Sequence, residues 1–269
     1  MDGHEWRRAS AGTEPPPRRI GVWGKRNPFF RFPALCPCAI MMQVSDFSEI
    51  KAVIFDMDGL LLDSERIALS TFMDACREFG FDPDVEVYYR CIGGNDVRTK
   101  QILTEGYGEE FPFDDINKLW HATYEEEAAS RPFPLKPGAV DLLRALEAKH
   151  VRKAVVTSTW RESARRKLLN AGLLSFFEFI VGGDDINKSK PDPEIYLTAC
   201  RRLEEDPQQC LALEDSDNGV LSAFAAGLRV IQVPDLLQPS PKVRGLGHRI
   251  VTSLEDVEKL LKNGVQNEG

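Results

Sequence analysis

A short apolar run that ends in two carboxylates is the feature that most constrains this chain. Residues 51–55 read Lys-Ala-Val-Ile-Phe, Asp56 follows them directly, and Asp58 lies two positions further on. An apolar run of this length is typical of a buried strand, and Gly59 marks the turn after it. Residues two apart on an extended backbone project to one side, so the two carboxylates repel each other unless a cation or a proton intervenes. The motif indicates metal chemistry or, taken alone, only a strand followed by an acidic turn.

The composition argues against several classes of protein. The chain has 269 residues and is 42% hydrophobic, enough for one large domain or for a core with a smaller companion. A formal net charge of −8 argues against a general nucleic-acid binder, which needs clustered Lys and Arg. No apolar run reaches the roughly 18 residues of a membrane span, and of the six cysteines only Cys36 and Cys38 are closely spaced. We therefore expect a cytoplasmic protein with reduced thiols and with no membrane or nucleic-acid partner. The composition does not determine the oligomeric state, for which a monomer is the default expectation.

The first 46 residues differ from the rest of the chain. They contain seven Lys or Arg against four acidic residues, and they show no sustained helical or strand period. We expect a disordered, basic, proline-rich extension. A targeting peptide and a natural start at Met41 or Met42 are the two alternatives that the sequence leaves open.

The remainder predicts an α/β fold in which a Rossmann-like parallel sheet has helices on both faces, with an all-helical cap inserted after the first strand. Residues 64–130 read as successive helices, the first capped by Ser64. Helix and strand candidates then alternate, and residues 242–248 read as a surface loop. The predicted later strands are 154–157, 179–181, 211–213 and 230–233, and the predicted domains are a core of 47–65 with 135–264 and a cap of 66–134.

Three further motifs place polar side chains at the ends of predicted strands, the edge where open parallel sheets bind ligands. Ser158 and Thr159 follow one strand and can bind phosphoryl oxygens, together with amides at a helix start. Lys190 precedes a proline, which stiffens its turn. Glu214 and Asp215 end another strand and offer oxygen ligands for magnesium. Taken singly, these motifs would be a helix cap, a solvated lysine and an acidic turn.

Together, in this order and spacing, the four motifs resemble the haloacid dehalogenase superfamily of aspartate-nucleophile phosphohydrolases. The Asp-x-Asp-Gly-x-Leu-x-Asp-Ser-Glu form at 56–65 and the helical insertion at 66–134 are similar to the helical-cap branch. This branch contains sugar-phosphate phosphatases, pseudouridine-5'-phosphatase and beta-phosphoglucomutase. The resemblance covers residues 50–262 and does not specify the substrate.

The resemblance implies a magnesium-dependent phosphoric monoester hydrolase. In it, Asp56 is the nucleophile that forms an aspartyl-phosphate, and Asp58 is the acid and base. Magnesium is held by Asp56, Asp215 and the main-chain carbonyl of Asp58, with Glu214 as ligand or support. The implied partner is a small phosphorylated substrate, with sugar phosphates expected first and nucleoside phosphates next.

The resemblance also implies how the phosphoryl group and the leaving group are held. Ser158, Thr159 and Lys190 hold the phosphoryl oxygens, and Lys190 also serves the catalytic centre. The cap closes over the site and selects the leaving group. Our candidates for this selection are four successive residues of the cap, Gly93, Gly94, Asn95 and Asp96; the alternative is that they form only a turn and a helix cap.

One departure from the family pattern favours a hydrolase. In the mutase a cap arginine follows a Gly-x-Ser segment and grips the second phosphate of a bisphosphate, whereas here acid and amide residues occupy that place and Arg98 is displaced. A phosphosugar mutase is the alternative function. A non-catalytic binding protein on this fold is a third, and the complete set of motifs argues against it.

Overall fold

The computed structural model describes residues 49–92 and 96–263. The predictions for residues 1–46, and those for Gly93, Gly94 and Asn95, lie outside these stretches. No helix within the two stretches has the length and apolar composition that spanning a lipid bilayer would need.

Six parallel strands form one sheet in the described part of the chain. They are β1 (Ala52–Phe55), β2 (Arg152–Val156), β3 (Ile180–Val181), β4 (Cys210–Glu214), β5 (Arg229–Gln232) and β6 (Arg249–Ile250), in the spatial order β3-β2-β1-β4-β5-β6. Phe55 pairs with Val155 on one side and with Leu213 on the other, so β1, β2 and β4 end at the same level. Parallel pairing brings all carboxyl ends to one edge of the sheet, and β1 is central.

Ten helices longer than one turn accompany the sheet in the described residues. Between β1 and β2 lie α1 (Ser64–Glu78), α2 (Val85–Cys91), α3 (Asp96–Tyr107), α4 (Phe113–Ser130) and α5 (Ala139–Ala148). After β2 come α6 (Arg161–Asn170), α7 (Glu194–Leu203), α8 (Asp217–Ala225), α9 (Pro241–Arg244) and α10 (Leu254–Asn263). The predicted α/β class, with helices interleaved between parallel strands, is confirmed.

Helices cover both faces of the sheet because the residues of β1 alternate between two hydrophobic clusters. Val53 and Phe55 belong to one cluster, which side chains of α5, α6 and α10 complete. Ala52 and Ile54 belong to the other, completed by α7, α8 and α9. A strand buried on both faces is apolar throughout, which explains the uninterrupted run at 52–55.

Helices α1 to α4 have a hydrophobic core of their own. Phe72 of α1, Tyr88 of α2, Leu103 of α3 and Ile116 of α4 are buried together. Trp120 of α4 donates its indole N–H to a carbonyl of α1 at 2.9 Å. This separate core is consistent with an independent cap, and the domain limits at 66 and 134 stay a prediction.

The chain enters and leaves this helical block through two adjacent segments. The amide of Asp63 donates to the carbonyl of Pro134 at 2.8 Å, and the amide of Lys136 donates to that of Leu61 at 2.9 Å. Asp235, after β5, accepts hydrogen bonds from Lys136 and from Arg66 of α1. The helical block is thereby attached at the carboxyl edge of the sheet.

Two local predictions were wrong. Ser64 does not cap α1; it is the first helical residue, and Asp63 in the cap position binds Arg66 instead of a helix amide. Residues 242–248 are not a plain loop, because α9 overlaps them and buries Val243 in the second cluster. The first correction reflects a local ion pair between residues three apart, and the second depends on a tertiary contact that local sequence does not reveal.

Candidate active site at the carboxyl edge of the sheet

Asp56 lies at the centre of the carboxyl edge. Its amide continues the ladder of β1 by donating to the carbonyl of Leu213 at 3.0 Å, and its side chain is buried. The chain then turns at Gly59, which has a φ of +82°. A Cβ atom at Gly59 would lie 2.4 Å from Asp215 Oδ2, so glycine is required both by the turn and by the neighbouring carboxylate.

Three carboxylates converge at this point. Asp56 ends β1, and Glu214 and Asp215 lie at the end of the adjacent strand β4. Each offers one oxygen, and these oxygens all lie within 4.8 Å of one another. Carboxylate oxygens are the ligands that magnesium prefers in proteins. The structure therefore brings together three of the four predicted metal ligands, in an arrangement that fits a divalent cation.

Lys190 lies among these carboxylates. Its Nζ atom is 2.5 Å from Asp56 Oδ1 and 2.5 Å from Glu214 Oε1, and its side chain is only 6% exposed. The Tyr196 hydroxyl donates to Glu214 Oε1 at 2.7 Å. The predicted lysine is thus a buried ion-pair partner of the nucleophile candidate, and the solvated alternative is excluded.

Burial sets the electrostatics of the three carboxylates. It raises the pKa of Asp56 to about 8, with the Lys190 charge acting against the rise and Glu214 adding to it. Burial, together with Asp56 and Glu214, raises the pKa of Asp215 well above its ordinary value. Burial also opposes the charge on Lys190, but Asp56 and Glu214 outweigh it and raise the lysine's pKa. A divalent cation bound here would favour the ionised form of the three carboxyl groups, because a nearby positive charge offsets the effect of burial.

The side chain of Asp58 faces a different set of partners. Thr159 Oγ1 donates to its Oδ2 atom at 2.7 Å, and Lys167 Nζ donates to its Oδ1 atom at 3.1 Å. Burial opposes ionisation of Asp58, but Lys167 and the Thr159 hydrogen bond hold its pKa below the ordinary value. Asp58 is therefore a separately held carboxylate beside the three-acid cluster.

The loop after β2 was expected to offer Ser158 and Thr159 to a phosphoryl group, but in the structure its threonine side chains have other contacts. Thr157 is the first residue after the strand, is buried, and has its Oγ1 atom 3.4 Å from Asp58 Oδ2. Thr157 Oγ1 also accepts a hydrogen bond from the Thr159 amide at 3.1 Å. Ser158 lies between them with an exposed side chain. Its assignment to phosphate binding stays a prediction, and Thr157 joins it as a candidate that the motif's strand-end position could have identified.

The central part of the chain matches a known family. Residues 53–233 match the model described as haloacid dehalogenase-like hydrolase. The chain belongs to this family. The expected family resemblance is therefore confirmed, and the match spans all the strand-end motifs described above.

Several haloacid dehalogenase-like hydrolases and their relatives are similar to the chain over most of its length. CbbY of Rhodobacter capsulatus is 35% identical over 208 residues, which are 73% of this chain and 88% of that protein. The phosphorylated carbohydrates phosphatase of Thermotoga maritima is 28% identical over 79% of this chain and 99% of that protein. A crystal structure of a CbbY mutant from Rhodobacter sphaeroides, in complex with xylulose-(1,5)bisphosphate, has a TM-score of 0.63 at 28% identity, covering 76% of this chain and 95% of that chain.

In the present chain, a cavity of about 220 Å³ adjoins Asp215, one of the three clustered carboxylates. Its walls come from α1, from the end of α2 and from the loops after β4 and β5, and they include Glu65, Asp215 and Asp235. Glu65 is half-buried, and burial with the charges of Asp58 and Asp235 raises its pKa to about 7. The cavity thus lies between the helical block and the edge of the sheet, where a leaving group would fit.

Lys167 is a second residue of this region, after Thr157, that the sequence did not lead us to predict. It is a buried lysine on α6, in line with the buried residues Ala164 and Leu168. A lysine at helical spacing with core residues is an anomaly, and this was the available signal. By contrast, Lys188 has a side chain that is 73% exposed and pairs only loosely with Asp192, as expected for a surface lysine.

Proposed function

We propose that this protein is a magnesium-dependent phosphohydrolase that cleaves small phosphate monoesters, with sugar or nucleoside phosphates as the substrate class. The observation that carries the proposal is the buried Asp56 carboxylate, 2.5 Å from Lys190 Nζ and grouped with Glu214 and Asp215. A carboxylate beside a cation and a metal site is suited to attack a phosphoryl group. Among the relatives, one is named for phosphorylated carbohydrates and one structure holds a sugar bisphosphate, which supports this substrate class.

The proposed reaction has two halves. In the first, Asp58 takes up a proton as the anionic phosphate enters the site, because a nearby anion favours the neutral form of a carboxyl group. An oxygen of Asp56 then attacks phosphorus, the ester P–O bond breaks, and Asp58 gives that proton to the departing alkoxide. In the second, Asp58 takes a proton from water, the water oxygen attacks the phosphorus of the aspartyl-phosphate, and inorganic phosphate leaves. Asp58 gives up this second proton once the phosphate has left, so both carboxyl groups return to their starting states. The covalent route replaces one difficult displacement by two easier ones.

Asp56, Asp215 and the main-chain carbonyl of Asp58 are the proposed magnesium ligands, with Glu214 as a further ligand or as support. The convergence of three carboxylate oxygens within 4.8 Å fits this assignment. When bound, the ion supplies positive charge that lets a carboxylate and a phosphate approach each other.

Other residues hold the phosphoryl group and the leaving group. Lys190 has the position and charge to bind a phosphoryl oxygen beside Asp56, and Ser158 offers a donor before the start of α6. The Thr159 hydroxyl donates to Asp58 in this structure, so its predicted contact with a phosphoryl oxygen would require that hydrogen bond to be exchanged. The helices α1 to α4 exclude bulk water, and Glu65 of α1 and Ile92 after α2 line the cavity that receives the leaving group. Gly94 and Asn95 remain our candidates for selecting that group.

The test is phosphate release from a panel of phosphate monoesters, with magnesium and with a chelator. Wild type is compared with Asp56→Asn, and with Asp74→Asn, which changes a largely exposed aspartate on α1. We expect magnesium-dependent release that Asp56→Asn abolishes and Asp74→Asn preserves. Release from none of the esters by wild type, or undiminished release by Asp56→Asn, would refute the proposal.

A further inference from the structure

Lys167 connects the Asp58 carboxylate to the helical block. It is carried by α6 of the core, and its side chain is only 3% exposed. Its Nζ atom donates to Asp58 Oδ1 at 3.1 Å and to the hydroxyl of Tyr124, on α4, at 2.9 Å. One buried ammonium therefore bridges the acid–base candidate and a helix of the block that covers it.

Two aromatic rings lie close to this ammonium. Lys167 Nζ lies 5.0 Å from the ring centre of Tyr124 and 5.4 Å from that of Phe133. Phe133 belongs to the segment by which the chain returns from the helical block to the core. The faces of both rings attract a cation and keep water away from it, which strengthens its interaction with Asp58. The position of Lys167 thus depends on α4 and on the return segment.

The two oxygens of Asp58 are held from two directions. Thr159 fixes Oδ2 from the loop after β2, and Lys167 fixes Oδ1 from α6. A carboxylate with a charged donor on one oxygen and a hydroxyl on the other has one favoured orientation. Removing the charged donor leaves that orientation to uncharged hydroxyl donors such as those of Thr157 and Thr159.

We infer that Lys167 is a positioning residue, which fixes the Asp58 carboxylate for proton transfer and makes that placement depend on the packing of α4. The inference rests on the proposed function, because it assigns to Asp58 the protonation of the leaving group. Lys167 touches neither the three-carboxylate cluster nor the phosphoryl site among the contacts described for it. Its effect on catalysis therefore passes through Asp58.

Substrates with different leaving groups separate two explanations of a lowered activity. One explanation is that Asp58 is misplaced, and the other is that the fold is damaged in general. An alkyl phosphate releases a strongly basic alkoxide, which needs a proton as the P–O bond breaks. The p-nitrophenolate ion is a weak base and leaves without one. Because kcat/KM reports only the steps up to leaving-group departure, misplacing Asp58 lowers kcat/KM for the alkyl ester and spares the aryl ester.

The experiment compares wild type with Lys167→Met, a variant that keeps the aliphatic stem and removes the ammonium. The substrates are p-nitrophenyl phosphate and glycerol 3-phosphate, the latter replaced by the best alkyl ester of the panel if it is not hydrolysed. We expect kcat/KM for the alkyl ester to fall by about 100-fold, and that for the aryl ester to change by less than about threefold.

Matched variants separate the role of Lys167 from the loss of any buried lysine. Lys153 is also buried, but its Nζ donates to the carbonyl of Val151, so Lys153→Met should leave the alkyl-to-aryl ratio unchanged. Tyr124→Phe keeps the ring and removes the hydroxyl contact, so it should lower the same ratio by a smaller factor. Lys167→Arg keeps the charge and should restore part of the ratio lost in Lys167→Met.

Equal losses for both esters in Lys167→Met, or no loss for the alkyl ester, would overturn the inference. If Lys167→Met does not fold by circular dichroism, Tyr124→Phe carries the test, and an unchanged ratio in that variant would overturn it. An error in the proposed function would give a different result from an error in this inference, because wild type would then hydrolyse neither ester.

Discussion

The ammonium of Lys190 lies 2.5 Å from the carboxylate of Asp56, although the two residues are 134 positions apart in the chain. Both side chains are almost entirely buried, at 6% and 9% exposure. The ion pair exists because β1 is central in the sheet and because the loop before α7 returns to its carboxyl edge. A phosphoryl group that enters the site would therefore contact both the carboxylate of Asp56 and the ammonium of Lys190.

Replacing Lys190 by Met should reduce both activity and stability. The change leaves Asp56 and Glu214 buried without their cation, and breaking a buried ion pair costs about 3–5 kcal/mol of unfolding free energy. Protonation of one carboxylate offsets part of this cost, so we expect a loss of about 2–3 kcal/mol and at least a 100-fold lower phosphatase activity. Urea unfolding and steady-state assays measure the two effects.

The exposed Lys188 provides the control for this change. Lys188→Met should alter the unfolding free energy by less than about 0.5 kcal/mol and leave activity unchanged. Activity of Lys190→Met within a factor of two of wild type would show that the ammonium has no part in phosphoryl transfer.

Magnesium should stabilise the folded protein through Asp215. A ligand that binds only the folded state at 100 times its Kd adds about 2.7 kcal/mol to the unfolding free energy. Asp215→Asn removes one charge from the three-carboxylate cluster, so its melting temperature should respond little to millimolar magnesium. Differential scanning calorimetry with magnesium and with chelator measures this, and Asp74→Asn is the control. A magnesium response in Asp215→Asn equal to that of wild type would remove Asp215 from the metal site.

Gly219→Ala should disturb Glu214 directly. A Cβ atom at Gly219 would lie 1.9 Å from the carboxyl carbon of Glu214, a fully buried residue that Lys190 and Tyr196 hold in place. We expect a loss of about 1–3 kcal/mol of unfolding free energy, as for other overpacked sites, and reduced activity. At Gly245, where φ is −66°, an added Cβ stays at least 3.3 Å from its neighbours, so Gly245→Ala is the matched control. Wild-type stability in Gly219→Ala would contradict the packing described for Glu214.

The stability of the protein should depend on pH through Glu65. Its pKa is raised by burial and by the charges of Asp58 and Asp235, from an ordinary 4.5 to about 7. The folded protein keeps a proton on Glu65 that the unfolded chain has already lost, so this group's stabilising contribution is complete below pH 4.5 and declines as pH rises to about 7.

Glu65→Gln removes this titration and leaves the other groups in place. The unfolding free energy of wild type minus that of the variant should therefore fall between pH 4.5 and about 7 and level off above it. Urea unfolding of both proteins at a series of pH values gives the difference. A constant difference across this range would mean that Glu65 titrates alike in the folded and unfolded states.

Much of the fold could be predicted because most of its strands can be recognised from short stretches of sequence. The central strand is buried on both faces and reads as an apolar run, and α5 carries its buried residues at helical spacing, as Ala139, Leu142, Leu143 and Leu146 show. The two-residue strand β6 and the four-residue helix α9 were not predicted; elements so short carry no period, and neither is a buried apolar run like the two-residue β3. Their positions are set by pairing with β5 and by burial of Val243.

The carboxylates of the candidate site could be predicted because they lie at or just after strand ends, and Lys190 because a proline follows it in the loop before α7. Parallel pairing brings Asp56 and the Glu214–Asp215 pair to one edge, so their proximity follows from topology. The contact between Asp58 and Lys167 could not be predicted in this way. Lys167 lies 109 residues away in the chain and approaches Asp58 from the middle of a helix. Side chains that reach a site from a helix interior depend on helix orientation, which no local motif encodes.

The most direct test of the central claim is to capture the phosphorylated nucleophile. Wild type and Asp56→Asn are quenched with acid during turnover of the best ester, and the peptide that contains Asp56 is analysed by tandem mass spectrometry before and after hydroxylamine treatment. We predict a hydroxylamine-sensitive phosphoryl group on Asp56 in wild type and none in the variant. Steady turnover by wild type with Asp56 unmodified, together with turnover by Asp56→Asn at the wild-type rate, would contradict the account.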